Sequence, residues 1–209
     1  MNIRRLIALA FCVAITAATA CGDDDSGGIF TTTTVAPGTT PATTGTTQAP
    51  DEGPGQFADF VSIAHPFAVQ YPESWEVEEN SFGAVVTFLS PLTGEDDPFH
   101  ESVNVVVEDL GGIEVTLDEY IDAALSQLPT IIPDIELTDQ IDDTMGGQPS
   151  QIITYTGSQE GFQFTWVQEV SLFEGSAYVL TYSGLTEGDD YLEFRPHAIA
   201  IFQSFDYRD

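Results

Sequence analysis

Phe162-Gln163-Phe164-Thr165-Trp166-Val167-Gln168-Glu169-Val170-Ser171-Leu172 decides the fold. Phe162, Phe164, Trp166, Val170 and Leu172 recur at every second position, and only Gln168 interrupts the series. A period of two belongs to a β-strand, because successive side chains point to opposite sides of the sheet. Gln151–Thr156 forms a strand before it, across the turn Gly157–Gly161. Tyr178, Leu180 and Tyr182 alternate along a strand after it, across Glu174-Gly175. Strands joined by such short turns make an antiparallel meander, here with one buried face.

The residues before the meander supply further strands and a helix. Phe60–Ile63 and Phe67–Tyr71 read as short strands around His65-Pro66. Tyr71-Pro72-Glu73-Ser74-Trp75 is a turn, since Pro72 fixes its own φ and restrains Tyr71. Trp75 is expected to plug one end of the core. Glu76–Glu79, Ala84–Leu89 and Ser102–Val107 complete the early strands. Thr116-Leu117-Asp118-Glu119 fits the capping box T-x-x-E. Leu117, Tyr120, Ile121, Ala124 and Leu128 then follow at helical spacing, until Pro129 and Pro133 end the helix. Ile135–Ile141 is extended and Gly146-Gly147 turns the chain.

A last helix is expected over Asp189–Phe202, with Tyr191, Phe194, Ala198, Ile199 and Phe202 on its apolar side. Pro196 must kink it or start its second half. Ser204-Phe205 closes the domain. The fold class is α+β, an antiparallel sheet flanked by helices.

Upstream of this domain the composition changes twice. Met1–Arg5 carries Arg4 and Arg5, and Leu6–Ala20 is an apolar run ending in small residues. That order is an export signal. The run is shorter than the roughly 20 residues a transmembrane helix needs. Ala18-Thr19-Ala20-Cys21 resembles the lipobox of bacterial lipoproteins, with Ala18 where Leu is usual. The resemblance implies removal of residues 1–20 and acylation of Cys21. Two or three acyl chains would anchor the chain, where one alone is marginal. The plainer alternative is an ordinary secretory peptide cleaved at A-x-A, which leaves Cys21 as an unpaired thiol.

Residues 21–56 are acidic at first and then rich in Thr and Pro. With almost nothing to bury, they are expected to form a disordered tether. Thr/Pro stretches of this kind are also compatible with O-glycosylation. The chain thus divides into a leader (1–20), a tether (21–56) and a domain (57–209).

Charge limits the partners. All 34 acidic residues follow Cys21, opposed only by Arg195 and Arg208, and there is no Lys. This repels nucleic acid and anionic headgroups and suits solvated cations. Adaptation to saline surroundings is the plainer cause. Cys12 leaves with the leader and Cys21 would be acylated, so the domain has no disulfide and depends on apolar packing.

The motifs assemble into a familiar layout. Phe67-x-Val69-x-Tyr71-Pro72-x-x-Trp75 opens the domain and Leu117-x-x-Tyr120 lies on the middle helix. Gly147 precedes the meander, Tyr178-Val179-Leu180-Thr181 is its last strand, and Ser204-Phe205 ends it. Over about residues 58–206 this resembles the PsbP-like superfamily, which includes exported bacterial lipoproteins of the LpqN-like group. The resemblance implies a PsbP-like α/β sandwich used for binding and assembly rather than one chemistry. The Lys residues that some photosynthetic members use in docking are missing here, so a photosystem role does not transfer.

No catalytic set emerges. There is no G-x-S-x-G elbow and no S-x-x-K. No Cys remains in the domain for a Cys–His mechanism. His65, His100 and His197 stand apart, without metal-ligand spacing. His100 with Asp96, Asp97 and Glu101 offers donors for Ca²⁺ or Zn²⁺, but reads more plainly as an acidic surface loop. Glu187-Gly188-Asp189-Asp190 suits a helix N-terminus. Asp139-Gln140-Ile141-Asp142-Asp143 reads as a charged, solvated edge. Trp75 and Trp166 are placed in the core rather than against a sugar.

The expectation is therefore a lipid-anchored, extracytoplasmic, non-catalytic protein that binds or scaffolds an envelope component. It contacts the membrane through Cys21 and has a protein or envelope partner, no nucleic-acid partner, no cofactor and no metal. The alternative is a cation- or small-ligand-binding module at the cell surface.

Overall fold

The computed structural model describes residues 55–94, 97–132, 134–187 and 190–208. The leader, the lipobox at Cys21 and nearly all of the tether lie outside the described residues. So do Asp96, Pro133 and Gly188-Asp189.

Ten strands and three helices follow the order β1 (Phe57–Val61), β2 (Phe67–Pro72), β3 (Glu76–Glu79), β4 (Val86–Leu89), β5 (Ser102–Asp109), α1 (Leu117–Leu125), α2 (Leu128–Ile131), β6 (Glu136–Met145), β7 (Gln148–Gln159), β8 (Phe162–Phe173), β9 (Ser176–Leu185), α3 (Asp190–Gln203) and β10 (Asp206–Tyr207). The large sheet has the order β3-β4-β5-β9-β8-β7-β6, and a small one has the order β1-β2-β10. Every pairing is antiparallel. The α+β class and the meander β7-β8-β9 match the sequence reading.

The expected single buried face is corrected. The centre of the large sheet is covered on both sides. Phe164, Trp166, Val170, Ala177 and Val179 pack with Tyr120, Ile121 and Leu128 under α1 and α2. Tyr178, Leu180 and Tyr182 point the other way, into a second cluster with Phe67, Val69, Phe194 and Ile201 from the small sheet and α3. Polar side chains survive this burial by pairing across strands. Gln168, the break in the apolar series, donates to Thr181 Oγ1 at 2.9 Å. Phe162, expected in the core, is 45% exposed because it opens β8 beside the turn at Gly161. Trp75 and Trp166 are both buried, as expected.

The capping box forms. Glu119 N–H donates to Thr116 Oγ1 at 3.2 Å, and Thr116 N–H donates to Glu119 Oε2 at 2.9 Å. The bond from Thr116 N–H, joined by one from Thr116 Oγ1 to the same Glu119 Oε2 at 3.0 Å, holds the Glu119 carboxyl below its ordinary pKa. The helix end is corrected. α1 stops at Leu125, where Ser126 Oγ donates to the Ala123 carbonyl at 2.7 Å. Pro129 sits in the first turn of α2, where its missing N–H leaves no bond unmade.

The C-terminal segment also differs from expectation. α3 continues through Pro196 as one helix. Ile199 is 43% exposed, and Ile201 is fully buried instead. Phe205 stacks on Phe67 with centroids 5.3 Å apart, and β10 beyond it pairs with β2. Gly146, at φ +56° between β6 and β7, admits the Tyr207 ring so closely that a Cβ there would lie 2.6 Å from it. The last residues are thus locked onto the β6–β7 turn.

Candidate functional site

A concave site among the described residues follows from the sheet being wider than its cover. On the second face, α3 packs over β2, β5 and β9. Strands β6, β7 and β8 extend beyond it. Between α3 and β6 lies a groove of about 400 Å³, within the range of small-ligand sites.

Alternation places each side chain. On β7, Ile153 and Tyr155 face the α1 cluster, so Ile152 and Thr154 face the groove. On β8 the same parity sends Val167 and Glu169 into it. On β6 it presents Asp139, Ile141 and Asp143. α3 contributes Arg195, Ala198, Ile199 and Phe202 along the opposite wall. The exposure of Ile199, which broke the expected helix face, is explained by this position at the groove wall.

The floor is apolar and the rim is charged. Three carboxylates face one guanidinium. Glu169 is only 4% exposed and accepts from Ser150 Oγ at 2.7 Å. Burial pushes its carboxyl above the ordinary value of 4.5, Ser150 opposes that, and the nearby Asp143 charge adds to it. The lining holds no His and no Cys. Such a set can bind a ligand that carries positive charge on an apolar body.

The raised Glu169 pKa sets a pH dependence. The folded state holds this proton more tightly than the unfolded chain does. The resulting stability is therefore fully present below about pH 4.5 and is lost as pH rises through the folded-state value. Stability should increase as pH falls from 7 toward 5, aided by weaker self-repulsion of the acidic chain. Thermal melts at the two pH values check this. Glu169→Gln should show a smaller rise than the wild type.

The sequence-derived candidates fare differently. Asp139–Asp143 lies on the last strand of the large sheet, exposed throughout, as expected for a charged edge. The loop 91–101 does not gather a metal site among its described residues. Asp97 accepts from Thr93 N–H at 2.9 Å and from Phe99 N–H at 3.1 Å. The His100 ring contacts the Ser90 carbonyl, and Glu101 is fully buried. Among the described residues no three His, Cys, Asp or Glu side chains group as metal ligands. His197 lies against Trp75 and Phe194. No described helix is long and apolar enough to cross a membrane. The groove itself was missed, because its carboxylates come from β6 and β8 and its guanidinium from α3. The signal available was Asp139-x-Ile141-x-Asp143, which puts charge and an apolar residue on one face of an edge strand.

Comparison with known proteins bears on the fold. No family model and no curated protein matches the chain. Solved structures do match. The solution structure of cyanobacterial PsbP (CyanoP) from Synechocystis superposes with a TM-score of 0.56 at 15% identity, over 75% of this chain and 95% of that one. The crystal structure of LpqN, involved in cell envelope biogenesis of Mycobacterium tuberculosis, gives 0.56 at 15% identity over 74% and 93%. A Pseudomonas aeruginosa protein of unknown function gives 0.53 at 14% identity over 74% and 99%. At these identities the likeness concerns the fold, and the domain has the PsbP-like fold.

Proposed function

We propose that this PsbP-like domain, held outside the cell by a lipid on Cys21, is a non-catalytic binding module that presents the groove between α3 and β6 to a component of the envelope. The observation that carries the reading is the groove itself. It joins a largely apolar floor to carboxylates, Asp139 and Asp143 at the rim and the nearly buried Glu169 deeper in. Burying a carboxylate costs free energy that one hydrogen bond from Ser150 only partly offsets, and a cationic ligand group in the groove would offset more of it. The export signal and the Ala18–Cys21 stretch supply the location. The Thr/Pro-rich composition of the residues between Cys21 and the domain supports the same reading, since such compositions serve as linkers. The LpqN likeness agrees with an envelope setting.

The test is a photocrosslinking residue placed at Ile199, on the groove wall, or at Leu192, which is 62% exposed on the same helix but does not line the groove. Irradiated cells should give one defined adduct from Ile199 and none from Leu192. The Ile199 adduct should disappear when Ile141→Arg blocks the opposite wall. Equal labelling from both positions, or none from Ile199, would sink the proposal. The anchor is checked separately by intact mass of the native protein. A free, unmodified Cys21 would contradict it.

A further inference from the structure

We infer that what docks along the β6 wall of the groove is a short basic strand of a partner protein. It would pair with the free edge of β6 and carry Lys or Arg at alternate positions around an apolar residue. This rests on the groove being the binding site and adds the chemistry of what binds.

β6 is the last strand of its sheet, so among the described residues its outer edge pairs with nothing. Such an edge offers a row of backbone donors and acceptors to an added strand. Here the edge is also held in place. On the face away from the groove, Gln151 donates to Asp142 Oδ1 and to Asp118 Oδ1, each at 3.0 Å. Gln140 Nε2 donates to Gln151 Oε1 at 2.8 Å. These bonds tie β6 to β7 and α1.

On the groove face, Asp139, Ile141 and Asp143 present anion, apolar and anion at alternate positions. Cross-strand neighbours stand directly opposite one another, where opposite charges attract and like charges destabilise. A second copy of this chain, paired antiparallel about Ile141, would set Asp139 against Asp143 and is rejected. A strand with cations flanking an apolar residue is accepted on both counts. Glu169, deeper in the groove, lies within the same negative field, with Arg195 on the far wall as the one opposing charge.

The probe is the peptide acetyl-Thr-Lys-Thr-Val-Thr-Lys-Thr-amide, titrated into the full processed chain and compared with a twin carrying Gln in place of Lys. Two opposite-charge pairs should make the Lys probe about fivefold to tenfold tighter. Raising NaCl should erode the difference, because exposed pairs are screened. The double variant Asp139→Asn/Asp143→Asn, with both changes on an exposed strand, should fold normally and bind both peptides alike. Equal affinity of the two peptides for the wild type would overturn the inference. So would no detectable binding at millimolar peptide, spermidine binding as tightly as the Lys probe, or self-association through β6. A specific adduct from Ile199 without preference for the Lys probe would remove the basic strand and leave the groove standing. Loss of both would remove both.

Discussion

Trp166→Ala should destabilise the domain by about 3–5 kcal/mol, the range for truncating a large buried aromatic. Trp166 is fully buried at the centre of the α1-side cluster. Its ring stacks on Tyr155 at 5.3 Å and on Phe164 at 5.4 Å, so the row spans β7 and β8. The chain has no disulfide in its domain to offset such a loss. Domain stabilities run to only about 5–15 kcal/mol, so the variant would retain little. For a domain of this size the midpoint of thermal unfolding should drop by about 10 °C or more. Trp166→Phe separates packing from polarity. The indole N–H has no hydrogen-bond partner among the described residues, so Phe gives up volume but no hydrogen bond. It should cost less than half as much as Ala. Equal costs would show that ring packing is not what Trp166 contributes.

Phe67→Ala is the counterpart on the opposite face, with a cost of similar size. Phe67 is fully buried within the second cluster. It stacks on Phe205 at 5.3 Å and meets Tyr178 edge-on at 6.3 Å. One ring therefore joins the small sheet, the large sheet and the segment after α3. Its loss should act first on that layer. Protection from hydrogen exchange in β1 and β2 should fall more than protection in β7 and β8. Ser204 gives a second tie, accepting from Gln70 N–H at 2.8 Å, and it should hold the chain end partly in place. Uniform loss of protection across both layers would mean that the small sheet is no separate unit.

The meander was legible because its apolar residues alternate from Phe164 to Leu172 with only Gln168 breaking the series. The start of α1 was legible because Thr116 and Glu119 satisfy one another locally. The second buried face was not. Thr165, Glu169 and Ser171, on that face of β8, look like solvent-facing residues, yet all are buried. Their burial depends on strands and helices distant in sequence. Pro129 suggests a stop because a proline breaks a helix interior, but the same residue suits a first turn. Ile199 and Ile201 could not be distinguished by helical spacing, since what decides between them is where α3 ends its cover of the sheet. β10 is two residues long, too short for any period to show. The groove is assembled from three distant segments, and only the alternation on β6 hinted at it.

Hydrogen exchange along β6 in the full processed chain, with and without the Lys-bearing peptide, tests the binding account most directly. Alone, the amides of β6 that point away from β7 should exchange quickly, while β9, buried on both faces, exchanges slowest. With the Lys probe, the β6 amides should slow markedly and β9 should not change; the Gln twin at the same concentration should have little effect. Slow exchange at the β6 edge before any peptide is added, or no change when the Lys probe is bound, would contradict an open edge that recruits a basic strand.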